Sequence, residues 1–284
     1  MHYSAIIKRS VLFIVLSVFV FGGCKKTDSN PLSDEDDAGG YASDLSRVEW
    51  MSNDAISIAD AAGNFYNGAY MKGTNTFGTC AIVSIDTLSS PHMLIVRFGN
   101  ENCVCLDGKS RRGTISVSYS GHYTDSNQIH TITYDNYYVN NIQLSGNTKV
   151  TRVDTTVVGN WYYRVLVNDT MTLSPNVYVT WKGALTRKWI SGYGSGDRSD
   201  DAFSISGNAT LVRPNGHLFA CDIQTPLKFA LDCNYAESGV VNVTGFNGET
   251  RVLNYALGAN TPGQCDNFAQ LNIGVHVYQL AMSY

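Results

Sequence analysis

Charged side chains are scarce in this sequence. They make up 15% of the 284 residues, and the formal net charge is −4. No group of lysines and arginines stands beside interleaved aromatic residues, so the phosphate-neutralising surface that nucleic-acid binding requires is missing. With 17 tyrosines, the composition favours a strand-rich globular protein over a disordered chain or a long helical bundle. We therefore expect no nucleic-acid partner.

Motifs for catalysis, metals and cofactors are also missing. The sequence contains no Gly-x-Ser-x-Gly elbow, no His-Glu-x-x-His, no Gly-x-x-x-x-Gly-Lys loop and no Gly-x-Gly-x-x-Gly after a strand. The histidines are scattered, and the Cys-x-x-Cys spacing typical of zinc sites does not occur. The sequence therefore predicts no catalytic residue, no metal and no cofactor, and we expect no enzyme. Spacing cannot reveal the two facing carboxylates that a glycosidase needs.

No apolar run is long enough to span a membrane. The longest, Val11 to Phe21, follows two basic residues and has the length of a signal-peptide core. Gly22 and Gly23 then precede Cys24, as lipoprotein signal peptidase requires. We expect residues 1–23 to be removed and Cys24 to be lipidated, which anchors the mature protein to a membrane.

Two segments precede the predicted sheet. Residues 24–41 lack apolar periodicity and carry Pro31, paired glycines and an acidic run, which predicts a disordered tether. Apolar residues then recur at helical spacing from Leu45 to Ala62, and Gly63 ends the pattern. This predicts a short N-terminal helix of one or two turns, packed on a β-rich domain that spans residues 42–284.

Apolar residues alternate with period two in the rest of the chain, which predicts half-buried strands. Turn-forming strings separate these runs, as antiparallel hairpins require. The expected fold class is all-β, an antiparallel meander that forms a long curved sheet or an elongated sandwich. The apolar runs are Ile115/Val117/Tyr119, Trp161/Tyr163/Val165/Val167, Val177/Val179/Trp181 and Ile273/Val275/Val277, and the turn strings are Ser145-Gly146-Asn147, Pro214-Asn215-Gly216 and Asn247-Gly248.

An internal repeat is also expected. The pattern [Ile/Val]-x-Val-[Ser/Thr] begins near residues 115, 177 and 241, and a Ser-Gly-Asn string at 145–147 recurs at 206–208. The spacing predicts units of about 62 residues, each long enough for about four strands.

Six cysteines follow Cys24. Outside the cytoplasm an even set predicts disulfides, here with fifteen possible connectivities. We expect Cys233 to pair with Cys265, and Cys80 with either Cys103 or Cys105. The full candidate set is Cys80, Cys103, Cys105, Cys221, Cys233 and Cys265.

Aromatic residues supply the one hint of a binding surface. Strand alternation directs one of two adjacent aromatics outward, where its ring can stack on a sugar or a partner protein; the alternative is that cross-strand aromatic pairs stabilise the sheet. The candidate binding residues are Tyr137, Tyr138, Tyr162, Tyr163, Trp181, Trp189 and Tyr193.

Two motifs, Cys103-Val104-Cys105-Leu106-Asp107-Gly108 and Cys265-Asp266-Asn267, together with the Cys-Lys-Lys start of the mature chain, resemble uncharacterised lipoproteins of the Bacteroidota. The resemblance covers most of the mature chain. Since no activity is established for that group, it implies only the compartment and the β character. Three strings also resemble the Asp-[Ser/Thr]-aliphatic acceptor of Bacteroidota O-glycosylation, which makes Thr87, Thr155 and Thr170 glycosylation candidates in exposed loops.

Three functions fit these observations. We favour a non-enzymatic outer-membrane lipoprotein of the cell envelope, facing either the periplasm or the cell surface, whose sheet binds a glycan or a protein. The second is a lipid-handling half-barrel that holds acyl chains against a concave face. The third is an extracytoplasmic glycan hydrolase.

Overall fold

The structure is a computed structural model that describes residues 38–66, 78–154, 161–193, 195, 199–257 and 264–282. Cys24, the signal segment and most of the tether lie outside these residues. None of the described helices is long and apolar enough to cross a membrane.

The described chain contains one helix and one antiparallel sheet of 13 strands in sequential order. The all-β prediction is therefore confirmed, in the form of a single sheet and not a sandwich. The elements are α1 (Ala38–Tyr66), β1 (Ile82–Asp86), β2 (His92–Val104), β3 (Ser110–Tyr119), β4 (Ile129–Val139), β5 (Ile142–Asp154), β6 (Trp161–Ser174), β7 (Val177–Ser191), β8 (Ala202–Val212), β9 (Leu218–Ala230), β10 (Ser238–Thr244), β11 (Thr250–Asn254), β12 (Phe268–Ile273) and β13 (His276–Ala281).

The sheet encloses α1. Apolar helix residues such as Leu45 and Ile58 are fully buried, and they share one core with inward residues of nearly every strand. Side chains from β3, β6, β7, β9 and β11 all reach the helix, so the helix is covered on several sides. The concave face of the sheet is thus occupied by the chain's own helix.

Glycines inside strands help the sheet to bend. Gly146 in β5 and Gly207 in β8 have φ of 111° and 121°, a region that side chains rarely adopt. A Cβ on Gly146 would meet the backbone of Asn168 on β6, and one on Gly207 would meet the backbone of Ala184 on β7. Glycine is needed at both positions because the neighbouring strand approaches so closely.

The turn prediction for Ser145-Gly146-Asn147 is therefore wrong, since this string lies within β5. The positive φ expected of Gly146 is present, but this glycine lies inside a strand and does not end one. The other two strings do form turns, with Gly216 between β8 and β9 and Gly248 between β10 and β11.

Two further expectations need correction. The helix is 29 residues long, not one or two turns, and it begins at Ala38 inside the predicted tether. Gly63 lies within the helix and does not end it. Glycine is needed there because the ring of Tyr123 packs where a Cβ would stand. The apolar run from Ile273 to Val277 is not one strand, since Gly274 and Val275 form the turn between β12 and β13 and Val275 is 91% exposed.

The 62-residue repeat is not confirmed. Its three starts fall in β3, β7 and β10. The second start is therefore four strands after the first, whereas the third is only three strands after the second. Because neighbouring strands alternate in direction, β10 runs opposite to β3 and β7. The shared pattern is accounted for by inward apolar residues that alternate with polar ones along a strand.

Two disulfides are present, Cys80–Cys103 and Cys233–Cys265, each with a Cα–Cα distance of 5.5 Å. Both were among the expected pairs. Cys105 and Cys221 are free and buried, so the expectation that all six cysteines pair is wrong. Cys105 lies at the turn after β2, whereas Cys221 points into the core from β9. The even number of cysteines could not reveal that Cys105 and Cys221 lie in different parts of the fold.

We expect the chain purified from an oxidising compartment, with Cys24 replaced by serine, to be four hydrogen atoms lighter than its reduced mass, because two disulfides form. A thiol reagent should label two cysteines only after denaturation, since Cys105 and Cys221 are buried. Intact-mass spectrometry before and after denaturation measures both. Cys105→Ser and Cys221→Ser should each remove one label. A loss of six hydrogens, or rapid labelling of the native protein, would contradict this assignment.

Candidate functional site

Polar side chains of α1 meet partners from the sheet inside the core. Arg187 on β7 is 1% exposed and contacts three helix residues. Its Nε donates to Asn53 at 2.8 Å, and its terminal nitrogens donate to Ser57 at 2.7 Å and to Asp60 at 3.1 Å. Its guanidinium also lies over the ring of Phe203, 3.3 Å from the centroid. A buried charge of this kind is tolerated because it is paired and hydrogen-bonded.

Two more arginines hold the helix in the same way. Arg111 on β3 donates to both carboxylate oxygens of Asp54, at 2.8 and 3.0 Å, and to Asp107 in the β2–β3 turn. Arg213, after β8, donates through Nε to Asp44 at 2.8 Å. Each helix aspartate thus faces one arginine from a different part of the sheet, which fixes the rotation of the helix.

Two buried carboxyl groups, those of Asp169 and Glu49, have no arginine beside them among the described residues. Asp169 on β6 accepts hydrogen bonds from Ser52 at 2.7 Å and from Thr148, and burial raises its pKa to about 6. Glu49 on α1 has only the hydroxyl of Tyr255, at 3.5 Å, and burial raises its pKa to about 8. Glu49 is therefore mostly protonated at neutral pH.

A small cavity lies between α1 and strands β6 to β9, with Glu49, Asn53, Trp181 and Arg187 in its wall. Its volume is about 20 Å³, which is room for about one water molecule and far below the size of a typical ligand pocket. α1 fills the concave face, and this cavity is too small for an acyl chain. The geometry therefore does not favour the lipid-handling function.

A second concentration of side chains lies at one end of the sheet. Trp161 begins β6, Trp189 is near the end of β7, and Tyr193 follows in the β7–β8 loop. The ring of Tyr193 makes edge contacts with both indoles, with centroid distances of 4.6 Å to Trp161 and 5.2 Å to Trp189. These three residues form the aromatic end cluster.

Charged neighbours position the aromatic end cluster. The guanidinium of Arg152 lies over Trp161, 4.5 Å from the ring centroid, and is itself held by Asp154 at 2.8 Å. The indole nitrogen of Trp189 donates to Asp201 at 3.2 Å, and Asp201 is 2% exposed. The rings are therefore held in fixed orientations before any ligand arrives.

The aromatic end cluster is partly open to solvent. Tyr193 is 45% exposed, whereas Trp161 and Trp189 are half-buried. Partly exposed rings offer apolar faces, and the nearby carboxylates of Asp154 and Asp200 offer hydrogen-bond acceptors. This combination is suited to a sugar, whose ring has apolar C–H faces and whose rim carries hydroxyl donors.

The structure separates the predicted binding residues into three groups. Trp189 and Tyr193 meet in the aromatic end cluster. Tyr138 and Tyr162 point to the outer face as alternation predicted, beneath Arg112 and Arg164. The others are wrong as binding residues because they are buried in the core with exposures of 8% or less: Tyr137, Tyr163 and Trp181.

The glycosylation candidates also differ in position. Thr87 is exposed in the β1–β2 turn, where the Asp86 carboxylate accepts from the backbone of Leu88. Thr170 lies within β6 between β5 and β7, not on the exposed loop that was expected. Thr155 lies outside the described residues.

Sequence reasoning missed Trp161, Arg152 and Asp201 as members of the site. Trp161 and Trp189 are far apart in sequence but are brought together because the β5–β6 and β7–β8 connections lie at the same end of the sheet. The signal in the sequence is strand alternation. Trp161 lies two residues before Tyr163, and Trp189 two residues after Arg187, so both indoles are expected on the inner face.

No protein-family model, curated protein or solved structure matches this chain.

We expect the contribution of Glu49 to stability to fall as pH rises from about 4.5 to about 8, because folded Glu49 keeps its proton over this range whereas the unfolded chain releases it. Glu49→Gln should remove about 2–5 kcal/mol of this loss, the order of magnitude for a shift of this size. Urea unfolding between pH 7 and 8.5, where Asp169 with its pKa of about 6 is already mostly ionised, measures the slope.

The matched control is Glu101→Gln, which changes an exposed carboxylate on β2 and should leave the slope as in the parent chain. Parallel pH profiles for the parent and Glu49→Gln would show that Glu49 is ionised in the folded protein.

Proposed function

We propose that this protein is a lipoprotein of the cell envelope, anchored through Cys24, whose β domain binds a glycan without turning it over. The observation that carries the proposal is the aromatic end cluster, in which two indoles and a tyrosine ring meet at a partly exposed end of the sheet. The anchor rests on the signal segment and the Gly22-Gly23-Cys24 string.

The positions of the charged groups favour a neutral glycan. Arg152 is engaged by Asp154 and by the ring of Trp161, so its charge is already compensated. The remaining polar atoms at the surface of the site include carboxylates, which accept hydrogen bonds from hydroxyl groups and repel anionic sugars. An uncharged oligosaccharide therefore fits better than an acidic one.

The same geometry supports binding without hydrolysis. A glycosidase needs two carboxyl groups that face each other across the scissile bond. Near the aromatic rings, Asp154 is paired with Arg152, and buried Asp201 holds the indole of Trp189, so both groups serve to position aromatic rings. The third nearby carboxylate, Asp200, accepts a hydrogen bond from Ser195.

The test is a titration of the protein with a panel of cello-, xylo-, manno- and chito-oligosaccharides. Binding is monitored by the change in tryptophan fluorescence, to which Trp161 and Trp189 contribute. We expect at least one neutral oligosaccharide to bind and Tyr193→Ala to weaken it about tenfold, since a stacked ring contributes about 1–1.5 kcal/mol. Tyr193 is exposed, so this variant should fold.

The matched control is Tyr178→Ala, which removes a ring that is 54% exposed on the outer face of β7, away from the aromatic end cluster. It should bind like the parent chain. Equal weakening by both variants would move the site elsewhere, and failure of every sugar in the panel to bind at millimolar concentration would overturn the proposal. Release of shortened sugars during the titration would indicate a hydrolase instead.

A further inference from the structure

The last strand of the sheet has an unpaired edge. β13 pairs with β12 on one side, and within the described part of the chain no strand pairs with its other side. The edge is well exposed, with Val277 at 63% and the preceding turn residue Val275 at 91%.

The unpaired backbone groups of β13 can be assigned to particular residues. Ile273 and His276 flank the two-residue turn, so their backbone groups face each other, and Met282 donates its N–H to Asn267. Even-numbered residues of β13 therefore direct their N–H and C=O toward β12. The outer edge presents those of Val277, Gln279 and Ala281, a row of donors and acceptors ready for another strand.

Nothing on β13 guards this edge against pairing. Natural edge strands are protected by charged side chains, prolines or bulges. The segment His276–Met282 contains no Asp, Glu, Lys, Arg or Pro, and its register with β12 is continuous. At the opposite edge of the sheet, the guanidinium of Arg97 on β2 donates to the hydroxyl of Ser84 on β1 at 3.2 Å.

We propose that β13 pairs antiparallel with β13 of a second copy of this chain, around a two-fold axis that passes between the two Gln279 residues. This register joins the two outer edges through about six backbone hydrogen bonds. It continues both sheets into one. The inference concerns a different surface from the aromatic end cluster and does not rest on the proposed function.

The side chains of β13 are complementary to themselves in this register. On the inner face, where Tyr278 and Leu280 are only partly buried, each Tyr278 comes opposite Leu280 of the other copy. On the outer face, Val277 comes opposite Ala281, and the two glutamines face each other. Aromatic–aliphatic cross-strand pairs are stabilising, and no like charges meet. A second copy is therefore the partner that this uncharged strand fits.

Cysteine cross-linking tests both the contact and its register in membranes of cells that express the full chain. Gln279→Cys should form a disulfide-linked dimer on mild oxidation, because the two Cα atoms would be about 5.5 Å apart, a distance that a disulfide spans. Val277→Cys is the matched control, since its two Cα atoms would be about 13 Å or more apart. We expect about tenfold more dimer from Gln279→Cys. The native free thiols are buried and should contribute little.

A charge substitution tests the axis without cross-linking. Gln279→Lys places two ammonium groups opposite each other across the axis, whereas Val277→Lys places each opposite an alanine. In detergent solution, analytical ultracentrifugation should show a dimer for the parent chain and weaker dimerisation for Gln279→Lys than for Val277→Lys, with unchanged circular dichroism. A monomeric parent chain, or equal cross-linking at positions 277 and 279, would overturn the proposal. Pairing with an unrelated protein would appear as a cross-linked band of a different mass and would also overturn it.

Discussion

The guanidinium of Arg187 links the sheet to the enclosed helix, and the rest of the architecture depends on contacts of this kind. Eight polar residues of α1 are buried: Asp44, Ser46, Glu49, Ser52, Asn53, Asp54, Ser57 and Asp60. A helix with so many buried polar groups can be enclosed only if the sheet supplies partners for them. Removing one partner of a buried ion pair typically costs about 3–5 kcal/mol, so each arginine also specifies how the helix must sit.

This enclosure determines where a binding site can be. Because α1 occupies the concave face, the cavity between the helix and strands β6 to β9 has a volume of only about 20 Å³. We therefore expect ligand contact at the ends of the strands, the outer face or the sheet edges. The aromatic end cluster lies at such an end, and it is connected to the helix through the core, since Arg187 packs on Phe203 and Phe203 on Trp189. The same contacts that hold the helix therefore support the rings of the proposed glycan site.

The sequence predicted the strands well because alternation is a local signal. Ile115, Val117 and Trp181 point inward as their spacing required. The helix was predicted too short because its buried face carries aspartates and serines, which read as solvent-exposed when their arginine partners are more than fifty residues away in the chain. Gly146 was misread because a positive φ is common to turns and to bent strands. Among the site residues, Trp189 and Tyr193 were found by composition, whereas Trp161 required knowledge of which strand ends meet.

Native-state hydrogen exchange of the full chain tests most directly whether α1 is an integral part of the core. If the buried ion pairs hold the helix inside the sheet, amides in the middle of α1 should exchange only with global unfolding, with an opening free energy within about 1 kcal/mol of that of β6 and β7. Exchange of α1 several kcal/mol more easily than these strands would show that the helix leaves the sheet independently, and would contradict the central claim.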